Sequence, residues 1–311
     1  MHVLVTGGAG FIGRWTVREL LARGIQVTVV DDLSSGCEGN LAEFAGHDKF
    51  REFVVGDVRD GRLMGALLDR GVDFVLHLAA RINVQQSIDK PSDTFDSDVV
   101  GTFRLLELCR ARGKGLLFMS TCMVYARALD HAISESWPTY PASPYAAAKL
   151  SGEALTQSYW QAYGLPTVVI RPFNTYGPCQ RTDGEGGVVS IFVQRELAGE
   201  DLNIYGSGEQ TRDLLYASDC ARFVVDAALS EKARGQILNA GTGRDVTINE
   251  LAAGICPEPG RIRHVEHIHP QSEIMKLQCD YSRARELLGW EPQVSLENGI
   301  GEVRQWVQSL Q

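Results

Sequence analysis

Tyr145 and Lys149 are the two side chains in this sequence best suited to moving a proton. They stand four residues apart in the stretch 143–149, Ser-Pro-Tyr-Ala-Ala-Ala-Lys. Ser143 is a preferred helix N-cap and Pro144 a preferred first residue, so we predict a helix on which the Tyr and the Lys share one face. A phenol has a reference pKa of about 10, and we expect the neighbouring ammonium to lower it, so that the Tyr can serve as a base. The alternative is a solvated pair on an ordinary helix.

A glycine-rich turn near the N-terminus predicts a dinucleotide site. Residues 2–5 form a predicted buried strand, residues 6–13 (Thr-Gly-Gly-Ala-Gly-Phe-Ile-Gly) follow, and a helical pattern comes next. A second predicted strand, residues 25–30, ends in Asp31 and Asp32. In this context the glycines let the backbone approach a pyrophosphate, which sits on the helix N-terminus. An acid after the second strand, with no arginine beside it, favours NAD over NADP.

The cofactor contacts expected from this arrangement lie at four predicted strand ends. They are the glycine turn, the acids after the second strand, two residues after a strand at 53–55 and two small residues ending a strand at 74–80: Gly7, Gly10, Phe11, Ile12, Gly13, Asp31, Asp32, Asp57, Val58, Ala79 and Ala80. Asp57 could meet the adenine amino group or could cap a helix instead. His77, inside the apolar strand, is expected to be a core histidine.

The alternation of strands and helices predicts an α/β fold with a Rossmann-type, doubly wound parallel sheet. A fifth strand, residues 116–121, ends in hydroxyls at Ser120 and Thr121, where such sheets place their ligands. We divide the chain into an NAD-binding Rossmann domain, residues 1–175, and a smaller, mainly substrate-binding α/β domain, residues 176–311. Some segments of the second domain are expected to return and pack on the first.

Two later stretches have the composition of loops, and one further helix is expected. Residues 171–178 are aromatic and loop-like, and residues 180–187 form a polar, glycine-rich loop that could act as a lid. Apolar positions at helical spacing predict a single helix over 93–112.

Composition narrows the class of protein. The 311 residues carry a net charge of −9 with no basic cluster, which argues against a nucleic-acid or anionic-membrane partner. Seven scattered cysteines without a CxxC motif indicate reduced thiols in a cytoplasmic protein. No apolar run approaches the ~20 residues of a membrane span, and the N-terminus lacks the basic region of a signal peptide. His264, His267 and His269 have metal-like spacing, but no further ligand joins them, so we expect no metal site.

Together these motifs resemble the extended short-chain dehydrogenase/reductase family, in its nucleotide-sugar branch, and most closely its UDP-galactose and UDP-glucuronate 4-epimerases. The resemblance covers nearly the whole chain and rests on residues 6–13, Asp31, 56–57, 77–80, 120–121, 145–149, 171–174, 210–213, 238–243 and 288–292. It implies NAD as cofactor and a UDP-sugar or another NDP-sugar as substrate. It also implies a homodimer through the helices at 93–112 and 144–163.

The resemblance implies roles for individual residues. Tyr145 would remove the proton from the sugar 4-hydroxyl, and Lys149 would bind the nicotinamide ribose and hold down the pKa of the Tyr. Thr121 would hydrogen-bond the sugar oxygen. The other expected substrate-binding residues, two for the diphosphate and two for the nucleotide base, are Asn174, Arg212, Ile204 and Tyr205.

The two residues after Thr121 separate the activities of the branch. Dehydratases of the family carry an Asp-Glu pair there and decarboxylases usually a Glu, whereas this chain has Cys122 and Met123. A methionine transfers no proton, and a thiol is a weaker acid than a carboxyl group. We therefore expect oxidation and re-reduction at one carbon, a 4-epimerisation through a 4-keto sugar.

Two alternatives to epimerisation stay open. One is a dehydratase or decarboxylase that uses Cys122 as its acid. The other is a non-catalytic NAD-binding regulator, although such a protein would be expected to lack Tyr145 or Lys149. Asp98 departs from the family pattern, which usually has Asn there.

Overall fold

A parallel sheet organises the chain in the computed structural model, which describes residues 1–128, 131–182, 187–266 and 274–310. The strands are β1 (His2–Thr6), β2 (Gln26–Asp31), β3 (Phe50–Val55), β4 (Phe74–His77), β5 (Gly115–Met119), β6 (Thr167–Pro172), β7 (Asn174–Tyr176), β8 (Leu202–Tyr205), β9 (Thr211–Tyr216), β10 (Ile237–Ala240), β11 (Asp245–Thr247) and β12 (Ile262–Val265). The helices are α1 (Phe11–Ala22), α2 (Gly61–Leu68), α3 (Val84–Asp89), α4 (Pro91–Thr94), α5 (Gly101–Arg112), α6 (Pro144–Tyr163), α7 (Val188–Leu197), α8 (Ala217–Leu229), α9 (Ile248–Ile255), α10 (Ser282–Leu288) and α11 (Leu296–Ser309).

Seven strands form the main sheet in the order β10-β6-β5-β4-β1-β2-β3, and every neighbouring pair is parallel. The chain builds outward from β1 to β3 and then crosses back to β4. The sheet therefore has its topological switch point between β1 and β4, where open α/β sheets bind ligands. The predicted Rossmann-type doubly wound sheet is confirmed.

Both faces of the sheet are covered, as the apolar strands require. Along β1, Val3 and Val5 face a core cluster that includes residues of α1 and α8, whereas Leu4 faces a cluster that includes residues of α2 and α5. The alternation follows from the two-residue period of a strand. The site at the switch point is thus built on strands held between two packed layers.

The C-terminal part of the chain contributes to more than one layer. β10 pairs with β6 at the edge of the main sheet, while β11-β9-β7 and β12-β8 form two small sheets around a separate apolar cluster. β7 lies inside residues 171–178, so the expectation of a loop there is wrong, because the segment extends β6 and then pairs with β9. The boundary at residue 175 stays a prediction.

The helix expected over 93–112 is interrupted. α4 and α5 are joined by a π-helical segment, Phe95–Val100, which holds Ser97 and Asp98 in the interior. Such bulges inside helices often lie at functional sites. Among the described residues, none of the helices combines the length and apolarity needed to cross a membrane.

Candidate active site

The glycine turn at residues 6–13 connects β1 to α1 in a form that only glycine permits. Gly7 has a φ of +72°, and a Cβ there would lie 2.7 Å from the backbone nitrogen of Ala79. A Cβ on Gly13 would lie 2.1 Å from the Gly7 carbonyl oxygen. The first turn of α1, with Gly10 as N-cap, carries no acidic side chain. The positive end of the helix is therefore suited to an anion such as a pyrophosphate.

A cavity of about 550 Å³ opens in front of this turn, within the usual range of small-ligand sites. All the predicted cofactor residues apart from the pair on α6 line it: Gly7, Gly10, Phe11, Ile12, Gly13, Asp31, Asp32, Asp57, Val58, Ala79 and Ala80. Residues that the sequence placed at four strand ends thus share one cavity at the switch point. The volume of the cavity, the backbone N–H donors and the carboxyl groups in its wall fit a dinucleotide. The contacts of these residues with a bound dinucleotide stay a prediction.

The two acids at the end of β2, Asp31 and Asp32, are held by different partners. The backbone N–H groups of Ala9 and Leu33 donate to the two oxygens of Asp31 at 3.0 and 2.9 Å. Burial nevertheless raises the pKa of Asp31. Asp32 forms an ion pair with Arg81 at 2.8 Å. Asp31 is thus a fixed acceptor in the cavity wall, while Asp32 is neutralised at its rim.

Asp57 does not cap a helix. The N-cap of α2 is Asp60, which accepts the N–H groups of Arg62 and Leu63. Asp57 instead pairs with Arg59 at 2.5 Å, and this hydrogen bond holds the pKa of the carboxyl below its usual value. The capping alternative is therefore wrong, and the carboxylate faces the cavity as part of an ion pair.

His77 is a core residue, as predicted. Its Nδ1 lies 2.8 Å from the Thr6 hydroxyl and its Nε2 lies 3.0 Å from the Thr102 hydroxyl. Burial lowers its pKa to about 3, so the ring is neutral at physiological pH. The ring ties β1 and β4 to α5 and has no nitrogen left for a ligand.

The helix that carries Tyr145 and Lys149 begins at Pro144, as predicted, and the Ser143 hydroxyl accepts an N–H of its first turn at 3.2 Å. The two side chains are not solvated, since Tyr145 is 8% and Lys149 3% exposed. The Lys149 ammonium donates to the carbonyl oxygen of Met119 at 3.0 Å, and Met119 lines the cavity. Lys149 therefore adjoins the cavity at the end of β5.

Thr121 is the polar partner of the Tyr145 phenol. The Thr121 side chain hydrogen-bonds to the phenol, and its oxygen also accepts the N–H of Met123 at 3.2 Å. The second bond caps a short 3₁₀ segment, Cys122–Val124, directly after β5. A hydroxyl, a phenol and an ammonium are thus assembled at one strand end.

The protein's own groups raise the pKa of Tyr145, which corrects the expectation of a lowered value. Burial is the main cause, and the Asp98 carboxylate adds to it, while the bond to Thr121 acts in the opposite direction. The helix spacing predicted Lys149 on the same helix face, but Lys149 is not among the groups that shift this pKa, and the loss of solvation dominates. Burial likewise lowers the pKa of Lys149.

The expected diphosphate residues lie on two neighbouring strands of a small sheet. Asn174 opens β7, and its buried side-chain oxygen has no hydrogen-bond partner among the described residues. Arg212 on β9 donates to the carbonyl oxygens of Thr211 and Ile274 at 2.8 and 2.9 Å. An unsatisfied buried amide oxygen is costly, which favours a ligand contact at Asn174.

Only one of the two expected base-slot residues faces outward. Tyr205 is 44% exposed, whereas the Ile204 side chain is 1% exposed and belongs to the core cluster around β8. Successive strand residues point to opposite faces, so the two could not share one slot. The side chain of Ile204 therefore faces the core, and the contact of either residue with a nucleotide base stays a prediction.

A second wall of the cavity was predicted only in part, through the possible lid at 180–187. It is formed by a loop after β2, by the segment after β7 and by one residue of α11: Ser34, Ser35, Gly36, Cys37, Asn40, Cys179, Gln180, Arg181, Thr182, Gly187 and Trp306. Gly36 follows Asp31 closely, and a Cβ on it would lie 2.9 Å from Ala9, so a glycine in that turn was a usable signal. No local pattern pointed to Trp306.

Two expectations fall partly outside the described residues. Of the histidines with metal-like spacing, His264 lies on β12 with its Nδ1 2.9 Å from the Gly206 carbonyl oxygen, and His267 and His269 lie outside. Of the possible lid at 180–187, residues 183–186 lie outside.

Comparison with known families decides what kind of site this is. Residues 4–303 match the family described as GDP-mannose 4,6 dehydratase. The chain belongs to this family, within the extended short-chain dehydrogenases/reductases. A UDP-glucose 4-epimerase of Mycolicibacterium smegmatis is 42% identical over 308 residues, which are 97% of each chain.

Solved structures share the whole fold. Pal from Bacillus thuringiensis is 52% identical with a TM-score of 0.98, and the match covers 100% of both chains. The UDP-glucose 4-epimerase of Thermotoga maritima, solved with UDP-glucose, is 34% identical with a TM-score of 0.92 over 100% of this chain and 99% of that one. DesIV of Streptomyces venezuelae, a dTDP-glucose 4,6-dehydratase solved with NAD, is 32% identical with a TM-score of 0.92 over 99% and 97%.

Proposed function

We propose that this protein is an NAD-dependent 4-epimerase of nucleotide sugars, acting on a UDP-linked hexose or uronate through a transient 4-keto sugar. The observation that carries the proposal is the stretch after Thr121, where Cys122 and Met123 supply no carboxylate. Burial raises the pKa of Cys122 to about 12, so the thiol stays protonated at neutral pH. The site then has one group suited to removing a proton, Tyr145, which matches chemistry at a single carbon.

The residues fit NAD through the glycine cradle, the open N-terminus of α1 and the fixed Asp31 acceptor. When bound, NAD supplies the acceptor and donor of hydride at carbon 4. The chain's own part is to hold the sugar hydroxyl between Thr121 and Tyr145 and to move its proton. Lys149 binds the nicotinamide ribose, and its positive charge favours the phenolate.

Asn174 and Arg212 bind the diphosphate and Tyr205 borders the nucleotide base. The unsatisfied Asn174 oxygen and the forked guanidinium of Arg212 support this placement. Binding the nucleotide firmly lets the sugar turn over within the cavity, as inversion at carbon 4 requires. Scattered free cysteines and a phosphorylated small-molecule substrate favour a cytoplasmic enzyme. Phe103, 45% exposed on α5, and Tyr163, 59% exposed on α6, favour a homodimer through these helices.

The alternative is a dehydratase or decarboxylase in which Cys122 donates the proton. The test is to incubate the purified enzyme with a panel of UDP- and dTDP-sugars and to analyse products by mass and NMR. We expect a mass-neutral product inverted at carbon 4; a product lighter by water or carbon dioxide, with no epimer, would remove the proposal.

A further inference from the structure

Asp98 is a buried carboxyl group beside the catalytic pair. It lies on the π-helical segment Phe95–Val100, which packs against α6, and it is 1% exposed. Its Oδ1 accepts the backbone N–H of Arg81 at 2.9 Å. Its Oδ2 is buried and has no hydrogen-bond partner among the described residues. A carboxylate in this state needs a nearby positive charge.

Lys149 is the one cation of α6, the helix against which the segment of Asp98 packs, and it is buried. The Lys149 ammonium attracts the Asp98 carboxylate more strongly than the Arg81 guanidinium does. The Arg81 guanidinium forms an ion pair with Asp32 instead. Conversely, Asp98 comes before Glu153 among the groups that favour the protonated form of Lys149. Lys149 is thus the strongest attracting charge on Asp98, and Asp98 is the strongest attracting charge on Lys149.

Glu153 is a weaker candidate because it has its own partner. Arg171 donates to both oxygens of Glu153, at 2.8 and 2.5 Å, and the Ser120 hydroxyl also donates to this carboxylate. Arg171 and Glu153 are both buried, so the pair is a matched and nearly neutral unit. Asp98 is left as the carboxylate whose charge Lys149 balances.

The remaining neighbours of the pair are uncharged or neutral. The side-chain neighbours of Tyr145 are the Thr121 hydroxyl and the buried Cys122 thiol. The backbone N–H of Tyr145 donates to the Ser87 hydroxyl of α3. Around Lys149 lie the neutral ring of His77, the Phe118 ring at 5.1 Å and the Met119 carbonyl. Ser97 is the polar neighbour of Asp98 on its own segment.

We propose that Asp98 is a positioning residue that acts through charge: its carboxylate keeps Lys149 protonated and opposes ionisation of Tyr145. Burial raises the pKa of Asp98 and Lys149 acts against this shift; with Asp98 ionised, the buried corner holds one carboxylate, one ammonium and a neutral phenol. The phenolate then becomes favourable only when further positive charge enters the site. Ionisation of Tyr145 is in this way coupled to the binding of positive charge in the site. The inference rests on the proposed function for its kinetic consequence, whereas its electrostatic consequence is independent of that function.

The test compares the purified holoenzyme with Asp98→Asn, which keeps the shape and the acceptor for Arg81 but removes the charge. Asp98→Ser is a second charge-removing variant, and Asp96→Asn is the control, because Asp96 is exposed two residues away. The pH dependence of turnover is measured together with phenolate absorbance, assigned by subtracting Tyr145→Phe.

Removing the negative charge should lower the pKa of Tyr145 and also that of Lys149. We expect both limbs of the rate profile, and the phenolate titration, to move to lower pH by about one unit or more in both Asp98 variants. Asp96→Asn should leave all three in place. A lower rate with unmoved limbs would indicate a merely structural role and overturn the proposal.

The absorbance measurement separates this inference from the proposed function. If no sugar is turned over by any variant, the proposed function fails, and the phenolate titration still decides the charge effect. Identical titrations in the wild type and the Asp98 variants, including the lack of a Tyr145 signal in both, would overturn the role of Asp98.

Discussion

The two halves of the candidate site are built in opposite ways. The cofactor half is made of backbone and small residues around Gly7 and Gly13, and its cavity is formed by the ends of adjacent parallel strands. The substrate half consists of side chains on short strands of two small sheets, with Asn174, Tyr205 and Arg212 drawn from β7, β8 and β9. A backbone cradle is rigid and tolerates no added atoms, whereas a set of side chains can be altered one contact at a time. Substitutions should therefore act sharply in the first half and gradually in the second.

Tyr145→Phe tests the point where the two halves meet, and we expect the largest effect there. The ring still packs in its buried place, but the proton acceptor is gone, so turnover should fall by about 10²–10⁴-fold. NAD content and the unfolding midpoint of the purified protein should stay near the wild-type values. Near-normal turnover would show that another group removes the proton.

Gly13→Ala tests the rigidity of the cofactor half. The added Cβ would lie 2.1 Å from the Gly7 carbonyl oxygen, so the turn must move away from its phosphate-binding form. We expect NAD bound in the purified protein to fall by about tenfold or more, measured by absorbance after release. Gly61→Ala, where no atom lies within 4 Å of the added Cβ, is the matched control. Equal NAD content in the two variants would contradict a rigid cradle.

Arg212→Lys tests the side-chain half. Lysine keeps the charge but loses the forked donor geometry that suits a diphosphate. We expect KM for the nucleotide sugar to rise about tenfold while kcat changes much less, as measured by steady-state kinetics. Arg244→Lys, at an exposed position, should change neither constant. A fall in kcat with an unchanged KM would place Arg212 at the reacting carbon.

Cys122→Ala should have the smallest effect if the reaction is confined to one carbon. The thiol is buried and follows Thr121 directly, but an epimerisation needs no proton from it. Turnover should therefore stay within about threefold of the wild type. In the dehydratase or decarboxylase alternative the same change removes the acid, at a cost of about a hundredfold or more. Turnover of each substrate by this variant therefore separates the two chemistries.

A contrast between local patterns and long-range packing also explains which features could be predicted from the sequence. The glycine turn, Asp31 and the Ser143-capped helix are local patterns, and each occupies the predicted element. The π-helical segment, the inward placement of Ile204 and the cavity wall at Trp306 depend on packing between distant segments. The pKa of Tyr145 is raised where a lowered value was expected, because it too depends on this packing. Spacing predicted an effect of Lys149 on this pKa, whereas the groups that raise it, burial and Asp98, come from the tertiary structure.

The most direct test of single-carbon chemistry is the fate of the hydrogen at carbon 4. A UDP-sugar that carries deuterium at this carbon is incubated with the enzyme, and the product is analysed by NMR and mass. We predict a product of unchanged mass that is inverted at carbon 4 and keeps the deuterium there. Deuterium at another carbon, or a product lighter by water or carbon dioxide, would contradict the proposed 4-epimerisation.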